Sequence, residues 1–147
     1  MEKPIYSYQG SENRERYTFV STGKNKTIIK VVDFELFEEI PDFIHFSFGD
    51  LLPNNKVDYL NVSNNQDMEI VLGTVIEILM DFLEHNPQKT VIFTGSTSSR
   101  NRLYRIIIAK FYYQLASKFE IKGFIEDEIM AFDKDKNFTG FLISKRL

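Results

Sequence analysis

From Gln66 to Asn86 apolar side chains recur at Met68, Val71, Leu72, Val75, Leu79, Phe82 and Leu83. That is the i, i+3, i+4, i+7 spacing of an α-helix. The polar residues Gly73, Glu77, Asp81 and Glu84 leave only a narrow stripe for water. Such a helix is predicted to be largely buried, so the remainder of the chain has to cover it. Ser63, Asn64 or Asn65 is placed to cap its start, and Pro87 ends it.

Strands are the predicted cover. "IYSYQ" at residues 5 to 9 is a short strand, and "RYTFVS" at 16 to 21 alternates Tyr17 and Phe19 with Thr18 and Val20. Gly23 and Asn25 suit a turn that needs positive φ. "TIIKVVDFEL" at 27 to 36 is β-branched and continues the hairpin. After Pro41, "FIHFSFGD" puts Ile44, Phe46 and Phe48 on one face and His45 and Ser47 on the other. An Asn-rich loop leads to the long helix. "TVIFTG" at 90 to 95 is almost unbroken in its apolar character, which predicts a central strand covered on both faces. A second helix is expected from about Ser98 to Lys118, burying Leu103, Ile106, Ile107, Phe111 and Leu115. "FEIKGFI" and "FTGFLISKR" close the chain as strands, with an acidic helix or loop between them. The expectation is therefore one α+β domain over residues 1–147. It has an antiparallel or mixed sheet and two main helices, in the order ββββ-α-β-α-ββ.

Composition narrows the function classes. With 147 residues the chain can bury a core without disulfide or metal staples. It contains no cysteine, which removes thiolate catalysis and Cys-based zinc sites. A net charge of −3 gives no global basic field, so any anion site has to be local. No apolar run reaches the length of a membrane span, and the first residues carry no apolar signal region. A cytoplasmic protein with no membrane contact is expected.

One such local site is legible. In "TGSTSSRNRLYR" a strand ends at Gly95, Ser96, Thr97, Ser98 and Ser99 follow, and Arg100, Arg102 and Arg105 crowd the start of a helix. From Gly95 to Lys110 there are four basic residues and no acidic one. The first amides of a helix lack internal partners and sit at the positive end of the dipole. They welcome an anion, and arginine forks fit phosphate. Ser98, Arg102, Arg105 and Ala109 lie along one helix face. The run is neither a P-loop nor a dinucleotide fingerprint, because the required second glycine and lysine are missing. Plain capping explains the hydroxyls but not arginine in a first turn, where it opposes the dipole.

Other residue types offer weaker chemistry. Histidine side chains change charge near neutrality, so His45 is the candidate general base. Asp50, Asp58 and Asp67 stand in or beside the Asn-rich loop and are candidate metal ligands, although their spacing fits no EF-hand. Turn and cap duty is the bland alternative for them. No cofactor is expected. Tyr104, Tyr112 and Tyr113 follow the arginines, a combination suited to single-stranded nucleic acid, yet at helical spacing Tyr104 and Tyr112 fit core packing.

The run "GSTSSRNRLYR", with "FGD" and "NNQD" upstream, resembles a family of small bacterial proteins catalogued as a domain of unknown function. The resemblance spans nearly the whole chain, and Asn101 stands where the family often has Thr. It implies that Gly95, Ser96, Thr97, Arg100, Arg102 and Tyr104 belong to a recurring signature, and it suggests a toxin–antitoxin or defence setting. Two functions are expected on these grounds. One is a phosphate site for RNA or a nucleotide, in catalytic form a metal-independent nuclease using His45. The other is a non-catalytic interaction module that binds a second copy or a small protein partner.

Overall fold

A computed structural model of the chain describes residues 4–24, 26–59, 65–95 and 97–146. Strands β1 (Tyr8–Gly10), β2 (Arg16–Ser21), β3 (Ile28–Phe37), β4 (Ile40–Leu51) and β5 (Val57–Asp58) precede helix α1 (Met68–His85). Then come β6 (Thr90–Thr94), α2 (Ser98–Lys110), α3 (Tyr112–Ala116), β7 (Phe119–Ile125), β8 (Glu128–Ala131) and β9 (Gly140–Lys145). The strands form one sheet in the order β1-β2-β3-β4-β6-β9-β7-β8, with β5 added to β4. β4 and β6 run parallel, with α1 in the connection between them. The pairs β1–β2, β2–β3, β4–β5, β6–β9, β7–β9 and β7–β8 are antiparallel. The architecture is thus α+β with a mixed, mostly antiparallel sheet.

The chain divides into two compact units, each assembled from separated segments. The first comprises residues 1–34 and 47–79, the second residues 35–46 and 80–147.

In the first unit, Tyr17, Phe19 and Ser21 of β2 alternate inward with Ile28, Lys30 and Val32 of β3, as the register Tyr17↔Val32, Phe19↔Lys30 and Ser21↔Ile28 requires. Tyr17 meets Phe34 edge-on at 5.7 Å between ring centroids. The first part of α1 buries Val71, Leu72, Val75, Ile76, Ile78 and Leu79, so the helix is enclosed on nearly all sides, as its narrow polar stripe predicts. Gln66 adopts positive φ (60°), and α1 starts two residues later, at Met68. Of the expected caps, Ser63 and Asn64 lie outside the described residues. Asn65 instead donates its carboxamide to the carbonyls of Ser21 and Lys26 and accepts from the Lys26 amide. Gly23 does not take positive φ. It is glycine for a different reason: a Cβ there would lie 1.9 Å from the Asn65 carbonyl. Asn25 lies outside the described residues.

In the second unit, Phe46 of β4 stacks on Phe93 of β6 at 4.1 Å, and Tyr104 of α2 meets both rings edge-on. Phe132, Phe138 and Phe141 form a second aromatic cluster. β6 corrects one expectation. It is central in the sheet, but its burial alternates: Val91 and Phe93 are buried, while Thr90, Ile92 and Thr94 are only half-buried. Its threonines and Ile92 therefore hold the less covered face, which hydropathy alone does not distinguish from a core position. Two further differences concern small elements. The expected second helix breaks at Phe111 into α2 and α3. Of the acidic segment, Glu128–Ala131 forms strand β8, paired with β7, and residues 132–137 are loop as expected.

Candidate functional site

The opening of α2 is built from a short sequence of local contacts. Thr97 is extended (φ −133°, ψ 161°) and its hydroxyl accepts from the Arg100 amide at 3.2 Å, a regular N-cap. The Asn101 side chain turns back and accepts from the Gly95 amide at 2.7 Å. A Cβ on Gly95 would lie 2.5 Å from the Arg100 Cβ and 2.7 Å from the Asn101 amide. Glycine at 95 thus allows the strand end to touch the first helical turn. Its amide is bonded within the loop, to the Asn101 side chain. Ser96 lies outside the described residues.

The arginines separate. Arg100 is 3% exposed, and its charge acts on the Tyr104 phenol one turn later. Burial pushes the Tyr104 phenol above its ordinary ionisation range, and the Arg100 charge opposes that shift. Arg102 is exposed, as are Ser98 and Ser99. Arg105 is half-buried and donates from Nη1 to the Phe138 carbonyl at 3.4 Å. Ser98, Arg102, Arg105 and Ala109 occupy the outer face of α2, whereas Arg100 occupies the inner one. The first turn carries no acidic residue. The surface open to a ligand is therefore Thr97, Ser98, Ser99 and Arg102, with Arg105 at its edge.

His45 lies on β4 with its Nε2 3.3 Å from the Thr94 hydroxyl and its ring edge-on to Phe37 at 5.9 Å. Its neighbour Phe46 packs under Tyr104 of α2, so alternation sends His45 to the opposite face of the sheet. The structure does not bring His45 and Arg102 to one surface.

The three aspartates belong to the first unit. Asp50 Oδ1 accepts from Lys30 Nζ at 2.6 Å, and Lys30 is 1% exposed, 5.9 Å above the Phe48 ring. Asp58 lies directly across from Asp50 in the β4–β5 pair. Asp67 accepts from the Tyr6 and Ser21 hydroxyls, each at 2.5 Å. Among the described residues no group of three or more His, Asp or Glu side chains is arranged to hold a metal. In the same unit Asp33 binds Arg16 through Nε and Nη2 at 2.6 and 2.9 Å and accepts from Tyr59 at 2.5 Å. That fork raises the Arg16 pKa, chiefly through its hydrogen bond to Asp33. A cavity of about 510 Å³ opens beside Asp50, lined also by Lys26, Thr27, Leu52 and Asn55. Sequence reasoning missed the Lys30–Asp50 pair. Its signal was present: Lys30 shares strand parity with Ile28 and Val32, so it had to face the core.

The fold and this site define a small α+β protein with a single exposed arginine at a helix start bearing no acidic residue in its first turn, and with no helix long and apolar enough to cross a membrane among the described residues. The chain belongs to a family of unknown function, DUF6934, whose model matches residues 2–146. Comparison with curated proteins and with solved structures finds no match.

Proposed function

We propose that this is a cytoplasmic phosphate-recognising protein whose ligand is RNA or a nucleotide. The observation that supports it is Arg102. It is exposed on the first turns of α2, and its side chain makes no hydrogen bond or ion pair among the described residues. Thr97, Ser98 and Ser99 stand beside it at the positive end of the helix dipole. Arg100 is assigned to the core and leaves the ligand set, while Arg105 contributes from the edge. A nuclease of the toxin or defence type needs a base on the same surface. His45 faces the other side of the sheet, so the reading is one of binding rather than cleavage.

Binding of a short RNA and of a mononucleotide at two salt concentrations tests this, with Arg102→Ala beside wild type. Phosphate contact requires affinity that falls as salt rises, with a slope lowered by about one in the variant. Wild-type protein that binds neither probe at low salt removes the reading.

A second reading, a non-catalytic interaction module, is favoured by apolar exposure next to the same arginine. Ile106 is 47% exposed and Tyr113 90% exposed.

A further inference from the structure

The second unit carries two surface patches of opposite chemistry. The first is the β3–β4 hairpin tip, "ELFEEIPD" at residues 35–42, which turns through Glu38 and Glu39. All eight residues are exposed, among them Leu36 at 55%, Phe37 at 36% and Ile40 at 47%. Glu35, Glu38, Glu39 and Asp42 make no side-chain hydrogen bond or ion pair among the described residues. Four carboxylates thus frame three exposed apolar side chains at one tight turn. A solvated hairpin tip is ordinarily polar, and apolar groups there remain in water unless something covers them.

The second patch is the outer face of α2 and the start of α3. Arg102, Ile106, Ala109, Lys110 and Tyr113 are exposed there, and no acidic residue occurs between Gly95 and Phe119. Here positive charge frames apolar groups. The two patches match in charge and in kind: carboxylates with apolar side chains on one, cations with apolar side chains on the other. A 13-residue α2 presents about 20 Å of length, ample for a two-stranded tip whose strands are about 5 Å apart.

We propose that the acidic hairpin tip of one copy of this chain docks on the basic outer face of α2 in a second copy. The proposal rests on the interaction-module reading. The phosphate reading does not use the hairpin, so the two fail separately. Because the patches differ, the contact is heterologous. Two copies either use it twice in a closed pair or repeat it in a chain. Arg102 belongs to this contact and to the proposed phosphate surface, so RNA and a second copy compete for it.

Analytical ultracentrifugation of the full chain over a concentration series, at about 30 mM and about 500 mM salt, reads the contact through its screening. The expected result is a mass that climbs with concentration at low salt and returns towards the monomer at high salt. The double variant Glu38→Lys/Glu39→Lys and the variant Arg102→Glu should each weaken self-association tenfold or more. An equal mixture of the two should associate again, the reversed tip of one meeting the reversed helix of the other. Asp42→Lys, at the exposed start of β4, replaces the turn variant should that one fail to fold. A wild-type chain that stays monomeric at low salt overturns the proposal. So does a reversed variant that associates like wild type, or a mixture that does not recover. RNA binding by the hairpin variant at wild-type strength keeps the phosphate reading in either case.

Discussion

Lys30 is the residue whose environment says most about how the first unit is specified. Its ammonium sits among core side chains because the strand period leaves it no other face, and Asp50 answers it from β4 at 2.6 Å. A buried pair of this kind adds little over two apolar residues, but a lone survivor is expensive. Lys30→Met is therefore expected to destabilise the protein by about 3–5 kcal/mol, since it leaves the buried Asp50 carboxylate without its ammonium partner. Lys30→Met combined with Asp50→Leu should recover most of that loss. Denaturant unfolding of the four proteins in a double-mutant cycle measures the difference. If the double variant is no better than Lys30→Met, the pair is not what holds this position.

Glu126 marks the β7–β8 hairpin, where it adopts a φ of 55°. A non-glycine residue in that region carries a steric penalty, and this one is exposed in a tight turn between Ile125 and Glu128. Glu126→Gly should relieve it and raise the melting temperature by about 2–4 °C, read by calorimetry. An unchanged or lower temperature would mean that the turn holds Glu126 without strain. The same hairpin shows why some elements were legible and others were not. α1 announced itself because seven apolar residues repeat on one helical period. β8 did not, because "EIMA" is a short edge strand whose burial is almost entirely absent. Its pairing with β7 is a tertiary fact, with no local pattern to betray it. The break of the second helix at Phe111 was hidden for a similar reason, since apolar spacing continues across it.

The pH dependence of the whole molecule should carry the mark of Tyr104. Its phenol is buried between Phe46, Phe93 and the first turns of α2, and its folded pKa is raised above the ordinary 10.0. The folded state thus holds this proton more tightly than the unfolded chain does. The resulting stability is fully present below the unfolded value and is lost as pH rises through the folded one. Unfolding free energies measured from neutral pH into the alkaline range should fall more steeply for wild type than for Tyr104→Phe. Equal slopes would show that other tyrosines dominate. The site itself was half legible. "GSTSSRNRLYR" marked a strand-to-helix turn, but it could not say that Thr97 is the residue that caps it or which arginine faces inward. Tyr104 decides it. Its ring packs on Phe46 and Phe93, and Arg100, one turn earlier on the same side of the helix, is buried as well.

The alternation of chain segments between the two units has a consequence for synthesis. Every residue of the first unit lies within positions 1–79, whereas the second needs residues 35–46 together with 80–147. As the chain leaves the ribosome, the front half of β4 emerges well before β6, whose residues 90–93 pair with its residues 43–46. Throughout that interval Ile44 and Phe46 belong to a strand edge with no parallel neighbour.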